Sequence, residues 1–131
     1  MVLALAEAER ILAAAKKKAE EMKLKVVISI VDPRGDLITL VRLDGALWRA
    51  IPVAQGKAIA SAAFGAPSRD LRDRADGPVM RSLIEYMGGY LTPHQGGLPI
   101  KRGDILLGAI GVSGAKSEED ELIAQAGIDV L

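Results

Sequence analysis

Apolar positions recur along the chain at two periods, and the switches between them outline the fold. Over residues 3–22, Leu5, Ala8, Leu12, Ala15, Ala19 and Met22 fall three or four positions apart, which predicts a helix with one apolar stripe. Lys16, Lys17, Lys18, Glu20 and Glu21 form its solvated face, and Glu7 and Glu9 sit near the positive end of its dipole. Residues 26–31 then read as a strand, apolar on both faces apart from Ser29. Asp32-Pro33-Arg34-Gly35 places Asp, Pro and Gly where a type I turn prefers them, and residues 37–43 form the return strand of a hairpin.

Between Ala50 and Ser68 the only charge is Lys57. Residues 52–64 read as a helix apolar nearly all round, and therefore buried, with Pro52 accommodated in its first turn. Gly65-Ala66-Pro67 stops it, and Ser68 is expected to cap a short charged turn over residues 69–74. Residues 78–87 predict a further helix with Met80, Leu83, Ile84 and Met87 inward, ended by Gly88-Gly89. Residues 90–95 form a loop or a short strand.

The stretch from Gly96 to Gly114 reads as a second hairpin, with its turn at Lys101–Asp104. Its second strand, residues 105–112, is a continuous apolar run interrupted by Gly108 and Gly111, so both faces should be covered and another backbone should approach closely. Ser117 opens the last helix, with Asp120 as its expected capping-box partner, Leu122, Ile123 and Ala126 inward, and Gly127 as the stop. The order helix, hairpin, helices, hairpin, helix predicts an α+β sandwich. Its mostly antiparallel sheet of four or five strands is covered by helices on both faces, in a single domain over residues 1–131.

Composition narrows the chemistry. Half of the 131 residues are hydrophobic but only four are aromatic (Trp48, Phe64, Tyr86 and Tyr90), so the core is built from Ala, Leu, Ile and Val. Small side chains allow close helix-to-sheet packing, and the modest apolar area per residue favours assembly with other subunits. Seventeen basic residues balance seventeen acidic ones, which argues against a nucleic-acid partner. The absence of cysteine excludes disulfides, zinc–thiolate sites and thiol nucleophiles. It is compatible with a reducing cytoplasm, the expected location. The first seven residues make a poor signal peptide, and no apolar run approaches a membrane span.

Few residues can carry chemistry. His94 lies on the glycine-containing loop before the second hairpin, where an imidazole is either an ordinary solvated side chain, a ligand to haem iron or another metal, or a base. Lys57, on an apolar helix, must snorkel, pair with a carboxylate or meet an anionic ligand. Arg42 and Asp44 flank a strand end. They either pair to fix the Asp44-Gly45 turn, or Arg42 holds a ligand carboxylate in bidentate fashion. Gly96-Gly97 and Ser113-Gly114 offer either turns or backbone N–H groups to an anion. No hydrolase, Walker A, dinucleotide or zinc-protease motif is present.

Taken in order, Val31-Asp32-Pro33-Arg34-Gly35, Arg42-Leu43-Asp44-Gly45-Ala46, Lys57-Ala58, Phe64 with Ser68, Gly96-Gly97-Leu98-Pro99-Ile100, Gly108 to Gly114 and Glu119-Asp120-Glu121 resemble the GlcG/HbpS family of small haem-binding-like domains, which includes the C-terminal domain of PduO proteins. The resemblance covers nearly the whole chain. It implies a profilin-like α-β-α sandwich, a homo-oligomer from dimer to octamer, and a ligand that is haem or, less expectedly, a corrinoid. On that reading Arg42, Asp44, Lys57, Gly97, Ser113 and Gly114 serve the ligand and His94 is the conditional metal ligand. The alternatives are an enzyme acting on a small organic acid, with Lys57 or His94 as proton carrier and Arg42 as carboxylate clamp, or an accessory protein of a catabolic assembly.

Overall fold

The structure is a computed structural model that describes residues 2–131. Helix α1 (Leu5–Glu21) is followed by strands β1 (Val27–Val31) and β2 (Leu37–Arg42), then helix α2 (Ala50–Phe64). A 3-10 helix (Ser68–Arg74) and helix α3 (Pro78–Tyr86) lead to strands β3 (Gly97–Arg102) and β4 (Ile105–Ser113), and helix α4 (Ser117–Ile128) follows. The four strands form one wholly antiparallel sheet in the order β2-β1-β4-β3. The two most apolar strands, β1 and β4, therefore lie in the middle.

Alternation along the strands divides the core between two faces. Ile28, Ile30, Ile110 and Val112 join Ile11 of α1 and Ile123 of α4 on one side. Val27 packs with Ala50 and Ala54 of α2, and Val31 with Ala58 and Ile59, on the other side. The result is the profilin-like α-β-α sandwich: α1 and α4 cover one face, and α2, with the 3-10 helix and α3 outside it, covers the other.

The α2 layer sits very close to the sheet. Ser29, Gly111 and Gly97 stand opposite one another across β1, β4 and β3. A Cβ at Gly111 would lie 2.1 Å from the Ala54 carbonyl oxygen, and one at Gly97 would lie 2.3 Å from that of Lys57. Real side chains cannot approach a backbone so closely, so this row of small residues lets the helix backbone rest on the sheet itself. Alanines at positions 54 and 58 complete the fit, both fully buried.

Three sequence expectations change. The buried stripe of α1 is Ala8, Ile11, Ala15 and Ala19, while Leu5 is 56% exposed. Leu3 takes its place in the core, because its N–H donates to the Leu107 carbonyl and draws the segment before the helix onto β4. Gly127 does not stop α4 but lies within it, where a Cβ would come 2.9 Å from the Ile11 carbonyl oxygen, so it serves close packing against α1. Ser117 is not the cap of α4: Lys116 precedes the helix and its N–H donates to the Glu119 carboxylate at 3.1 Å, while Leu122 is exposed and Asp120 turns inward.

The close seating of α2 makes a direct prediction. Gly111→Ala should destabilise the fold by about 3 kcal/mol or more, because neither opposed backbone can yield without moving α2. Gly89→Ala, at a left-handed position (φ 84°) with nothing within 4 Å, should cost only about 1–2 kcal/mol. Urea unfolding of the two variants measures the difference.

Candidate functional site

One end of the sheet gathers the chain segments that carry most of the polar motifs. Val27 at the start of β1 stands opposite Arg42 at the end of β2 and Ser113 at the end of β4. Beyond Arg42 the chain turns sharply. The Arg42 Nε donates to the Ala46 carbonyl at 3.0 Å, which closes the turn around Asp44 and Gly45. The Arg42–Asp44 ion pair, one of the two alternatives open from sequence, is absent among the described residues. Gly45 adopts a left-handed backbone (φ 85°), and the Lys25 side chain crosses where its Cβ would stand, with Cδ only 2.8 Å away. Gly114 (φ 128°) approaches the Lys25 carbonyl in the same way.

Two clefts open at this end, with Lys25 forming part of both. The first, of about 400 Å³, lies between the end of α1 and the end of β2 and includes Arg42 and Asp44. The second, of about 450 Å³, lies between the segment before α2 and the end of β4 and includes Ser113 and Gly114. Leu47, Val53 and Ala115 supply its apolar walls, and Lys25 and Arg49 its two cations. Trp48, the single tryptophan, is 70% exposed in the segment that forms the rim.

Lys57 lies behind this end, between the layers. Its stem passes beneath Gly96, where a Cβ would come 2.8 Å from both Cδ and Nζ. Its ammonium donates to the Val112 carbonyl and to the Asp120 carboxylate, each at 3.0 Å. Both side chains are almost fully buried. Asp120 also accepts the Ala115 N–H at 3.1 Å. Burial raises the Asp120 carboxyl above the ordinary carboxylate range, while the Lys57 charge and the two hydrogen bonds pull against that rise. Of the three fates open to Lys57 from sequence, the structure shows pairing with a carboxylate. Because α2 and α4 lie on opposite faces, the pair joins the two layers across the end of the sheet. Arg69 and Glu121 form a second interlayer pair nearer the surface, and the neighbouring carboxylate holds the Arg69 guanidinium above its ordinary value.

Ser68 links the remaining motif residues. It does not cap the 3-10 helix; its hydroxyl instead donates to the His94 carbonyl and accepts the Gly97 N–H at 2.8 Å. This holds the loop before β3 against the 3-10 helix. The His94 ring is exposed and its Nε2 lies 3.0 Å from the Ser117 hydroxyl. Among the described residues no group of three or more His, Asp or Glu side chains is placed to hold a metal ion.

The expected site residues thus fall into separate groups. Arg42 and Asp44 share one cleft, Ser113 and Gly114 line the next, and Lys57, Gly97 and His94 belong to the structure behind them. The sequence reading missed Lys25 and Arg49, and gave Asp120 as a capping partner and part of a family motif rather than as the counter-charge of Lys57. The first two look like ordinary surface cations, and Asp120 lies three positions after Ser117, a spacing that suits a capping role equally well.

These features define a class: a profilin-like domain that presents open clefts at one end of its sheet. The family model described as haem degrading protein HbpS-like matches residues 3–129, and the chain belongs to that family. The corrinoid adenosyltransferase PduO of Citrobacter freundii is 33% identical over 132 residues, which cover 100% of this chain and 39% of PduO. The chain spans less than two fifths of the length of that protein and of its Salmonella typhimurium counterpart. Among solved structures, a PduOC:heme complex superposes with a TM-score of 0.89 at 29% identity, covering 100% of this chain and 96% of that one. A crystal structure of HbpS gives a TM-score of 0.87 at 28% identity, covering 100% and 91%.

The interlayer pair can be tested without any ligand. Asp120→Asn leaves the Lys57 ammonium buried without a counter-charge and should cost about 3–5 kcal/mol in urea unfolding. The double variant K57M/D120L removes both charges and should be less destabilised than D120N or K57M alone.

Proposed function

We propose that the chain is an oligomeric small-molecule-binding protein of the cytoplasm, with haem or a related tetrapyrrole as its ligand. The observation that carries this reading is the likeness to the PduOC:heme complex along the whole chain. The second cleft suits such a guest in kind. Leu47, Val53 and Ala115 offer apolar surface to a flat macrocycle, and Lys25 and Arg49 offer two cations to its carboxylates. Ser113 and Gly114 shape the opposite wall. Arg42 and Asp44 shape the adjoining turn, and Lys57 and Gly97 support the cleft from behind by fixing β3, β4 and α4. When bound, haem would supply an iron centre. No histidine, methionine or tyrosine lines this cleft, so His94 would hold the iron only from another copy of the chain. A corrinoid is the lesser candidate.

Assembly into a homo-oligomer, from dimer to octamer, fits the exposed apolar residues Leu47, Trp48, Val79 and Tyr86. The organic-acid enzyme requires Arg42 to converge with Lys57 or His94. These side chains line no common cleft, which favours binding over turnover. An accessory role in a catabolic assembly remains compatible with the binding reading.

Titration with hemin should shift the Soret band and quench Trp48 emission. The K25Q/R49Q double variant removes two charge-assisted contacts of about 1.5–3 kcal/mol each, and should weaken binding by about a hundredfold or more. H94A changes the spectrum only if His94 holds the iron. A Soret band identical to that of free hemin throughout the titration overturns the proposal.

A further inference from the structure

The first cleft, between the end of α1 and the end of β2, shares Lys25 with the cleft assigned to haem, but no guest has been placed in it. Lys16, Lys23, Lys25 and Arg42 line it, against only two carboxylates, Glu20 and Asp44. In a chain whose charges balance overall, this is a local excess of two positive charges. None of the four cations forms an ion pair among the described residues, although both carboxylates line the same cleft.

Two of these cations are held in unusual ways. Lys23 is the only non-glycine residue with a left-handed backbone (φ 58°) among those described. It stands just after α1, where the Leu24 N–H donates back to the Ala19 carbonyl at 3.0 Å. Glycine is the usual residue at such a helix end, because a side chain there is strained. The chain instead keeps a lysine, and that lysine lines the cleft. Arg42 is anchored through Nε to the Ala46 carbonyl, which leaves its two terminal nitrogens free for a planar oxyanion. Beneath the charges, Leu24, Val41 and Leu43 give the cleft a half-buried apolar floor.

We propose that this cleft binds a small organic dicarboxylate. The Arg42 fork takes one carboxylate, the lysines neutralise the rest of the charge, and the apolar floor accommodates the carbon chain between the two carboxylates. Its volume of about 400 Å³ is within the usual range for small-molecule sites. The floor selects an organic dianion over inorganic phosphate, which has no apolar part to cover it.

Backbone amide NMR of the full chain, titrated separately with succinate, inorganic phosphate and sodium chloride at matched ionic strength, tests the proposal. Succinate should give saturable shifts centred on residues 23–25 and 42–45, with tighter binding than phosphate and none of the saturation in chloride. R42Q should weaken succinate by about tenfold. K23G separates binding from folding: relief of the left-handed strain should raise Tm by about 4 °C, while loss of the ammonium weakens succinate several-fold. Non-saturating shifts, phosphate binding as tight as succinate, or K23G that is stabilised yet binds succinate unchanged would each overturn it. Since hemin is absent throughout, these results are independent of the haem reading.

Discussion

The contact between the α2 backbone and the sheet governs the rest of the molecule. Ordinary helix-to-sheet packing interposes a layer of side chains. Here the row of Ser29, Gly111 and Gly97 removes that layer, and helical carbonyls lie against the strands. The alanine-dense sequence of α2 and the scarcity of aromatic residues follow from this, since bulk on either surface would force the layers apart. The same closeness determines the path of Lys57. Its stem cannot spread sideways beneath the helix, so it runs to the end of the sheet under Gly96. The glycines at 96, 97 and 111 therefore serve one purpose at three places.

Burying the Lys57 ammonium requires a compensating charge, and the fold supplies it from the opposite layer. Asp120 closes the ion pair while its other oxygen takes the Ala115 N–H, so the turn after β4 is fixed by the same carboxylate. That turn starts at Gly114, directly after Ser113, and the two wall the second cleft. The shape of the cleft thus depends on a pair that never reaches it. Lys25, lying across Gly45 and shared by both clefts, makes a similar connection on the other side.

Much of the architecture is legible in the periodicity. Both hairpins, the buried α2 and the covered central strands follow from runs whose period or continuity admits one reading. The family resemblance, carried by short motifs in order, agrees with the matched family. What the periodicity cannot supply is the direction in which a single residue turns. Leu5 has the right spacing for the core yet is exposed, because Leu3 is tied to Leu107 and fills that place. Ser68, Ser117 and Asp120 all have helix-end spacing, but Ser68 and Asp120 make their main contacts across the fold. The clefts were the least legible, since Lys25 and Arg49 gain their meaning only when β1, β2 and β4 end side by side.

The interlayer ion pair also bears on how the chain acquires its fold. Lys57 and Asp120 are separated by 63 positions, so during synthesis the lysine emerges well before its counter-charge. Until α4 arrives, docking α2 fully on the sheet would strand an ammonium away from water. Full seating of α2 is thereby coupled to the presence of α4.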